Sequence, residues 1–158
     1  MQDRVQSCPM LKPEFPSLLP PGLHQFQLSE LHAAFVAPFT QSVRRSMLLA
    51  GLTKFIDEVR TLAICGELWF DGSFVTEKQD PDDIDLVLIF DPASLECLTS
   101  EQQQAARHLF HQPSSKAKYN CDVYCASSAD PVMVSYWRGW YGFKRDQRTA
   151  KGVGFITL

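Results

Sequence analysis

Leu68-Trp69-Phe70-Asp71-Gly72-Ser73, followed ten residues after the serine by Asp83-Ile84-Asp85-Leu86-Val87-Leu88-Ile89-Phe90, decides how this chain reads. The first run is a strand that stops at a Gly-Ser turn. The second is rich in strand formers and nearly continuous in apolar character, as a strand covered on both faces is. Alternation puts Ile84, Leu86, Leu88 and Phe90 on one face and Asp83, Asp85, Val87 and Ile89 on the other. One face is therefore wholly apolar, while its partner opens with two carboxylates. Two aspartates at i and i+2 can reach one divalent cation, and a Gly-Ser turn can cradle a polyphosphate through backbone N–H groups and a hydroxyl. The pattern predicts a magnesium-dependent nucleotide site, with Asp83 and Asp85 on the metal and Gly72 and Ser73 on the nucleotide.

Working outward, apolar residues at 39, 43, 47, 48, 52, 55, 56 and 59 have helical spacing and predict a long helix from Phe39 to Val59. A short helix from Ser29 through Val36 precedes it, ended by Pro38. Leu62 to Asp71 reads as the first strand region, broken at Gly66, and Phe74 to Lys78 as a brief helical turn. Thr99 with Gln102 forms a capping box ahead of a helix over 101–110. Tyr119 to Ala126 is the next strand. Asp130-Pro131 pairs an N-cap with proline at the first helical position and opens a helix to about Tyr141. Gly152 to Leu158 closes the chain as a short strand. Residues 1–28, with Pro9, Pro13, Pro16, Pro20 and Pro21, have little periodicity and read as an irregular leader. Residues 29–158 then make one domain of the small α/β (α+β) class, a mixed β-sheet with helices packed on it.

Two close carboxylates repel unless a cation offsets them, and a two-metal site usually needs a third acid. Asp122 is the candidate. It interrupts the strand-like run Tyr119-Asn120-Cys121-Asp122-Val123-Tyr124-Cys125, and alternation turns it away from Cys121 and Val123. An acid in mid-strand calls for a partner or a metal.

Composition bounds the rest. At 45% hydrophobic and 21% charged, the 158-residue chain has the make-up of a globular protein with a real core. The longest apolar run, Leu86 to Phe90, is too short to cross a bilayer, and the N-terminus lacks a signal-peptide pattern, so no membrane contact and a cytoplasmic location are expected. The five cysteines form no CxxC pair and read as reduced structural thiols, with Cys121 and Cys125 on one strand face. A net charge of −3 argues against a broad nucleic-acid footprint. Charge is nevertheless segregated: Asp80, Asp82, Asp83 and Asp85 crowd the centre, and Lys144, Arg145, Arg148 and Lys151 the C-terminal segment. Lys144, Arg145, Arg148 and Lys151 are weaker candidates for triphosphate or partner contacts, Lys144 and Arg145 first among them for the nucleotide. Trp137 and Tyr141, at helical spacing with Val134, read as core.

Gly72-Ser73, the ten-residue step to Asp83-Ile84-Asp85-Leu86, and the later strand aspartate Asp122 together resemble the signature of the polymerase-β-like nucleotidyltransferase superfamily. The resemblance covers residues 68 to 125. It implies that Asp83 and Asp85 bind two magnesium ions and that Asp122 binds the catalytic ion and helps deprotonate the acceptor. It also implies that Gly72 and Ser73 hold the triphosphate of an NTP, with ATP the first choice. The reaction implied is attack of an acceptor hydroxyl, on protein, RNA or a small molecule, at the α-phosphorus. In size the chain is similar to minimal nucleotidyltransferases, including the antitoxin-type enzymes of toxin–antitoxin systems. Those carry an Ala-Arg-Gly-like continuation after Gly-Ser, where this chain has Phe74-Val75-Thr76-Glu77. The alternative is a non-catalytic nucleotidyltransferase-like antitoxin or partner-binding module.

Overall fold

The run Ile84–Phe90 forms a strand with the predicted bounds and lies inside a five-stranded mixed sheet, in a computed structural model that describes residues 12–158. Cys8 and the first part of the leader lie outside the described residues. The strands are β1 (Gly22–Gln25), β2 (Gly66–Asp71), β3 (Ile84–Phe90), β4 (Cys121–Ser127) and β5 (Gly152–Thr157), in spatial order β1-β5-β2-β3-β4. β2 runs antiparallel to both β3 and β5, whereas β3 and β4 pair in parallel, as do β1 and β5. The helices are α1 (Leu31–Phe35), α2 (Arg45–Thr61), α3 (Pro92–Glu96), α4 (Ser100–Leu109), α5 (Gln112–Tyr119) and α6 (Pro131–Gly142). The fold is mixed α+β, as expected.

Alternation along β3 sorts the core into two layers. Ile84, Leu86 and Leu88 join Leu68, Phe70, Cys121, Val123 and Ile156 beneath α1, α2, α4 and α5, where Phe35, Leu52, Phe55, Ile56 and Tyr119 are buried. Val87 and Ile89 face the other way, with Trp69, Ala126 and Val153, and α6 covers them with Trp137 and Tyr141. Both faces are thus closed over the middle of the sheet. The caps follow the sequence: Asp91 and Asp130 accept amides of the first turns of α3 and α6, and Thr99 and Gln102 form the reciprocal box of α4.

Several expectations need correction. The strand region read from Leu62 begins only at Gly66, and the brief turn read from Phe74 to Lys78 is a 3-10 turn over Gly72–Val75. Gly22–Gln25, within the irregular leader, is a parallel edge strand on β5, and the segment before it bridges Ser17 to Thr76. The long helix begins at Arg45 rather than Phe39. The carboxylate of Asp80 accepts the amides of Val43 and Arg44, and the Ser42 hydroxyl accepts those of Arg44 and Arg45. Those bonds satisfy the amides of the N-cap and first helical residue, Arg44 and Arg45, and of Val43 before them, so the periodic residues Phe39 and Val43 stay in the lead-in. Helices α3 and α5 are too short and polar for a periodicity argument. Tyr119 belongs to α5 rather than to a strand, because Asn120 in the left-handed conformation (φ 56) ends the helix one residue before β4. Finally, Cys121 is buried but Cys125 is exposed.

Candidate functional site

Register brings together residues that lie far apart in the chain. Asp85 of β3 stands opposite Asp71 in the antiparallel ladder with β2 and opposite Asp122 in the parallel ladder with β4. With neighbouring strands about 4.8 Å apart, three carboxylates line up across three strand ends, all on the face covered by α6. Asp83 precedes Asp85 by two residues and joins the row. Carboxylate oxygens of Asp83, Asp85 and Asp122 lie within 4.8 Å of one another, close enough to share a metal ion.

Two anchors hold this geometry. On the β4 side, the Tyr119 hydroxyl donates to Glu58 of α2 at 2.5 Å, and a Cβ on Gly51 of α2 would collide with the Tyr119 carbonyl. Helix α5 is thereby clamped to α2, and Asn120 turns the chain straight into β4, its carbonyl accepting the amide of Ile84. On the β2 side, the chain leaves Asp71 into a 3-10 turn over Gly72–Val75. The guanidinium of Arg45, 0% exposed, donates to the carbonyls of Phe35 and Phe74 at 2.8 Å and of Thr76 and Lys78 at 2.7 Å. It also stacks 3.5 Å above the Phe39 ring. One buried arginine therefore fixes the path that follows Gly72-Ser73.

A side chain at Gly72 is strained. The Gly72 φ is +80°, and a Cβ there would collide with the Asp85 carboxylate. The Gly-Ser turn and the acidic row are in direct contact.

The electrostatics are those of an undercompensated acidic cluster. Burial, then the charges of Asp83, Asp71 and Asp122, pushes Asp85 up to about 7. Burial likewise raises Asp71 to about 6, against the pull of Lys151, whose ammonium lies 2.6 Å from Asp71 Oδ2. Asp71 Oδ1 is buried with no hydrogen-bond partner among the described residues, and so is the Tyr141 hydroxyl. Burial, followed by Asp85 and Asp71, drives that phenol well above its ordinary range. Lys116 of α5 reaches in from the other side, its ammonium 2.8 Å from Asp122 and 2.9 Å from Asp83. Those two carboxylates hold it protonated far above the usual lysine range. Four carboxylates against two ammonium groups leave an excess that a divalent cation would complement.

The predicted residues divide clearly. Asp83, Asp85, Asp122 and Gly72 meet at one place, and Ser73 follows in the same turn. Lys144 and Arg145 make their contacts elsewhere: the Lys144 amide bonds Thr149, and Arg145 donates to the Lys12 carbonyl and the Glu14 carboxylate. Asp80 and Asp82 serve the α2 lead-in and Lys78 instead of the cluster. Trp137 and Tyr141 are core, at 8% and 3% exposure, while Tyr136 and Trp140 stack on each other in the open. Sequence reasoning assigned no role to Asp71 or Lys116, and offered Lys151 only as one of four weaker basic candidates for triphosphate or partner contacts. The adjacency of Asp71 to Gly72 was the available signal; nothing local marks Lys116.

Over residues 13–157 the chain matches the family described as Family of unknown function (DUF6932), and it belongs to that family. No curated protein and no solved structure matches it significantly.

Proposed function

We propose that this member of the DUF6932 family is a magnesium-dependent nucleotidyltransferase. The observation that carries the reading is the convergence of Asp83, Asp85 and Asp122 against the Gly72-Ser73 turn. Acids alone would make an indifferent argument. Acids held in ladder register beside a glycine that permits close backbone approach make a stronger one.

The residues fit two divalent ions in kind: hard carboxylate oxygens, three of them convergent, with excess negative charge. Metal bound there would stabilise the attacking and leaving oxygens of an in-line displacement. Asp83 and Asp85 would hold the ions, and Asp122 would help hold one of them and take the proton of the acceptor hydroxyl. The Gly72 backbone and the Ser73 hydroxyl would face the triphosphate. The acceptor oxygen bonds to the α-phosphorus as pyrophosphate leaves. ATP is the donor to try first; a protein, RNA or small-molecule hydroxyl in the cytoplasm is the acceptor class.

Lys116 supports a second reading. An ammonium already bridging Asp83 and Asp122 could serve as a permanent counter-ion, as in a non-catalytic partner-binding module. Titration calorimetry separates the two. Wild type should bind one NTP only with Mg²⁺ present, and Asp83→Ala should lose that binding. A folded wild type that binds neither Mg²⁺ nor any NTP favours the counter-ion reading.

A further inference from the structure

Asp71 and Lys151 form the most enclosed ion pair among the described residues, with side chains 6% and 15% exposed. Taking two charges out of water costs several kcal/mol per ion, recovered only when the remaining lone pairs find donors. Here they are met incompletely: among the described residues Asp71 Oδ1 is buried without a well-formed hydrogen bond, the Gly72 amide lending the carboxylate only minor support. As a device for stability alone the pair is poorly made.

Its position suggests another use. Asp71 ends β2, immediately before Gly72-Ser73, and stands in register with Asp85. Lys151 reaches it from the residue just before β5, the neighbour of β2 on the side away from β3. The Lys151 amide donates to the Gly142 carbonyl, so the lysine backbone is tied to the end of α6. The acidic cluster is thus flanked by Lys116 on the β4 side and by Lys151 on the Gly-Ser side. The Tyr141 hydroxyl of α6, buried and without a partner among the described residues, belongs to the layer that covers this face.

We propose that Lys151 is the cation that binds the terminal phosphates of the donor, and that Asp71 is a positioning residue that holds it at the mouth of the Gly-Ser turn. This rests on the nucleotidyltransferase reading and names its phosphate subsite. A compact ammonium suits phosphate oxygens as a point charge, and prior placement by a carboxylate limits the rotamer freedom lost on binding. Arg145 is thereby relieved of the role, since its guanidinium donates to the Lys12 carbonyl, away from the aspartates.

The experiment compares wild type, Asp71→Asn, and Asp71→Asn/Lys151→Met by calorimetry. The double change removes both charges and leaves neither buried alone. The probes are Mg²⁺ alone, Mg²⁺ with inorganic tripolyphosphate, Mg²⁺ with whichever NTP wild type binds, and the matching nucleoside. Loss of one charge-assisted phosphate contact should weaken tripolyphosphate and NTP about tenfold in the double variant. Affinity for Mg²⁺ and for the nucleoside should be unchanged. Asp71→Asn alone keeps the ammonium but not its placement, and should weaken the phosphate probes about threefold. Unchanged tripolyphosphate and NTP affinity in the folded double variant overturns the assignment while leaving the nucleotidyltransferase reading intact. Unchanged affinity in Asp71→Asn overturns the positioning role. A wild type that binds neither probe overturns both readings.

Discussion

The Lys116 ammonium sits 2.8 Å from the Asp122 carboxylate, on the opposite side of the acidic row from Lys151. It also touches Asp83 at 2.9 Å, so a metal ion shared by those two acids would have to displace it. Lys116 is half exposed, and its long stem allows withdrawal towards water.

Replacing Lys116 by Met should therefore separate stability from metal binding. Without metal, Asp83 and Asp122 lose their counter-charge, and the melting temperature should fall by a few degrees, for a cost of about 1 kcal/mol. With Mg²⁺ the competing ammonium is gone, and the metal-induced rise in melting temperature should exceed that of wild type. Melts with and without Mg²⁺ check this. Equal metal response in the two proteins would mean that Lys116 does not occupy the metal position.

Asp85 predicts the pH dependence. Its folded value, about 7, lies above the ordinary carboxylate value of 3.8, so between those limits the folded state holds the proton that the unfolded state has released. Stability must then fall as pH rises through that window. Asp85→Asn removes the penalty. It should be more stable than wild type at pH 8, by about 1–3 kcal/mol, and no more stable near pH 3.5. Urea midpoints at the two pH values test it. A variant destabilised equally at both would show that Asp85 is not held against its charge. Saturating Mg²⁺ should stabilise wild type at pH 8 and have little effect on the variant.

What the sequence disclosed follows the range of each signal. β3 and the caps at Thr99 and Asp130 are local patterns, and they were legible. The acids Asp83, Asp85 and Asp122 were legible because alternation assigns a face without knowledge of partners. Asp71 was not, since only the register of β2 on β3 reveals that it stands beside Asp85. Lys151 reaches Asp71 across 80 residues, and Lys116, only six residues before Asp122, is brought to it by the left-handed turn at Asn120 that separates α5 from β4. The helix lead-in at residues 39–44 misled for a similar reason. Its cap is Asp80, more than thirty residues away.

Gly72→Ala tests the contact between the turn and the acidic row. The positive φ and the collision with Asp85 should together cost roughly 1–3 kcal/mol. In an Asp85→Ala background the collision is gone but the φ remains, so the cost should shrink without vanishing. A double-mutant cycle by chemical denaturation reads the coupling directly. Strict additivity would mean that the two residues do not touch.

Arg45 carries the largest expected loss outside the cluster. Burial lowers its guanidinium only to about 10, so it stays charged at neutral pH, held by four carbonyls and the Phe39 ring. Arg45→Met preserves most of the apolar stem but strands the carbonyls of Phe35, Phe74, Thr76 and Lys78. At about 1–3 kcal/mol for each buried unsatisfied group, and with partial relaxation, the total should reach at least about 3 kcal/mol. Because three of those carbonyls lie just beyond Gly72-Ser73, the damage should extend to the site. Hydrogen exchange at the amide of Thr76, which donates to the Ser73 carbonyl, should accelerate well beyond the global loss of stability. If exchange there follows the global change alone, Arg45 supports the fold but does not set the Gly-Ser turn.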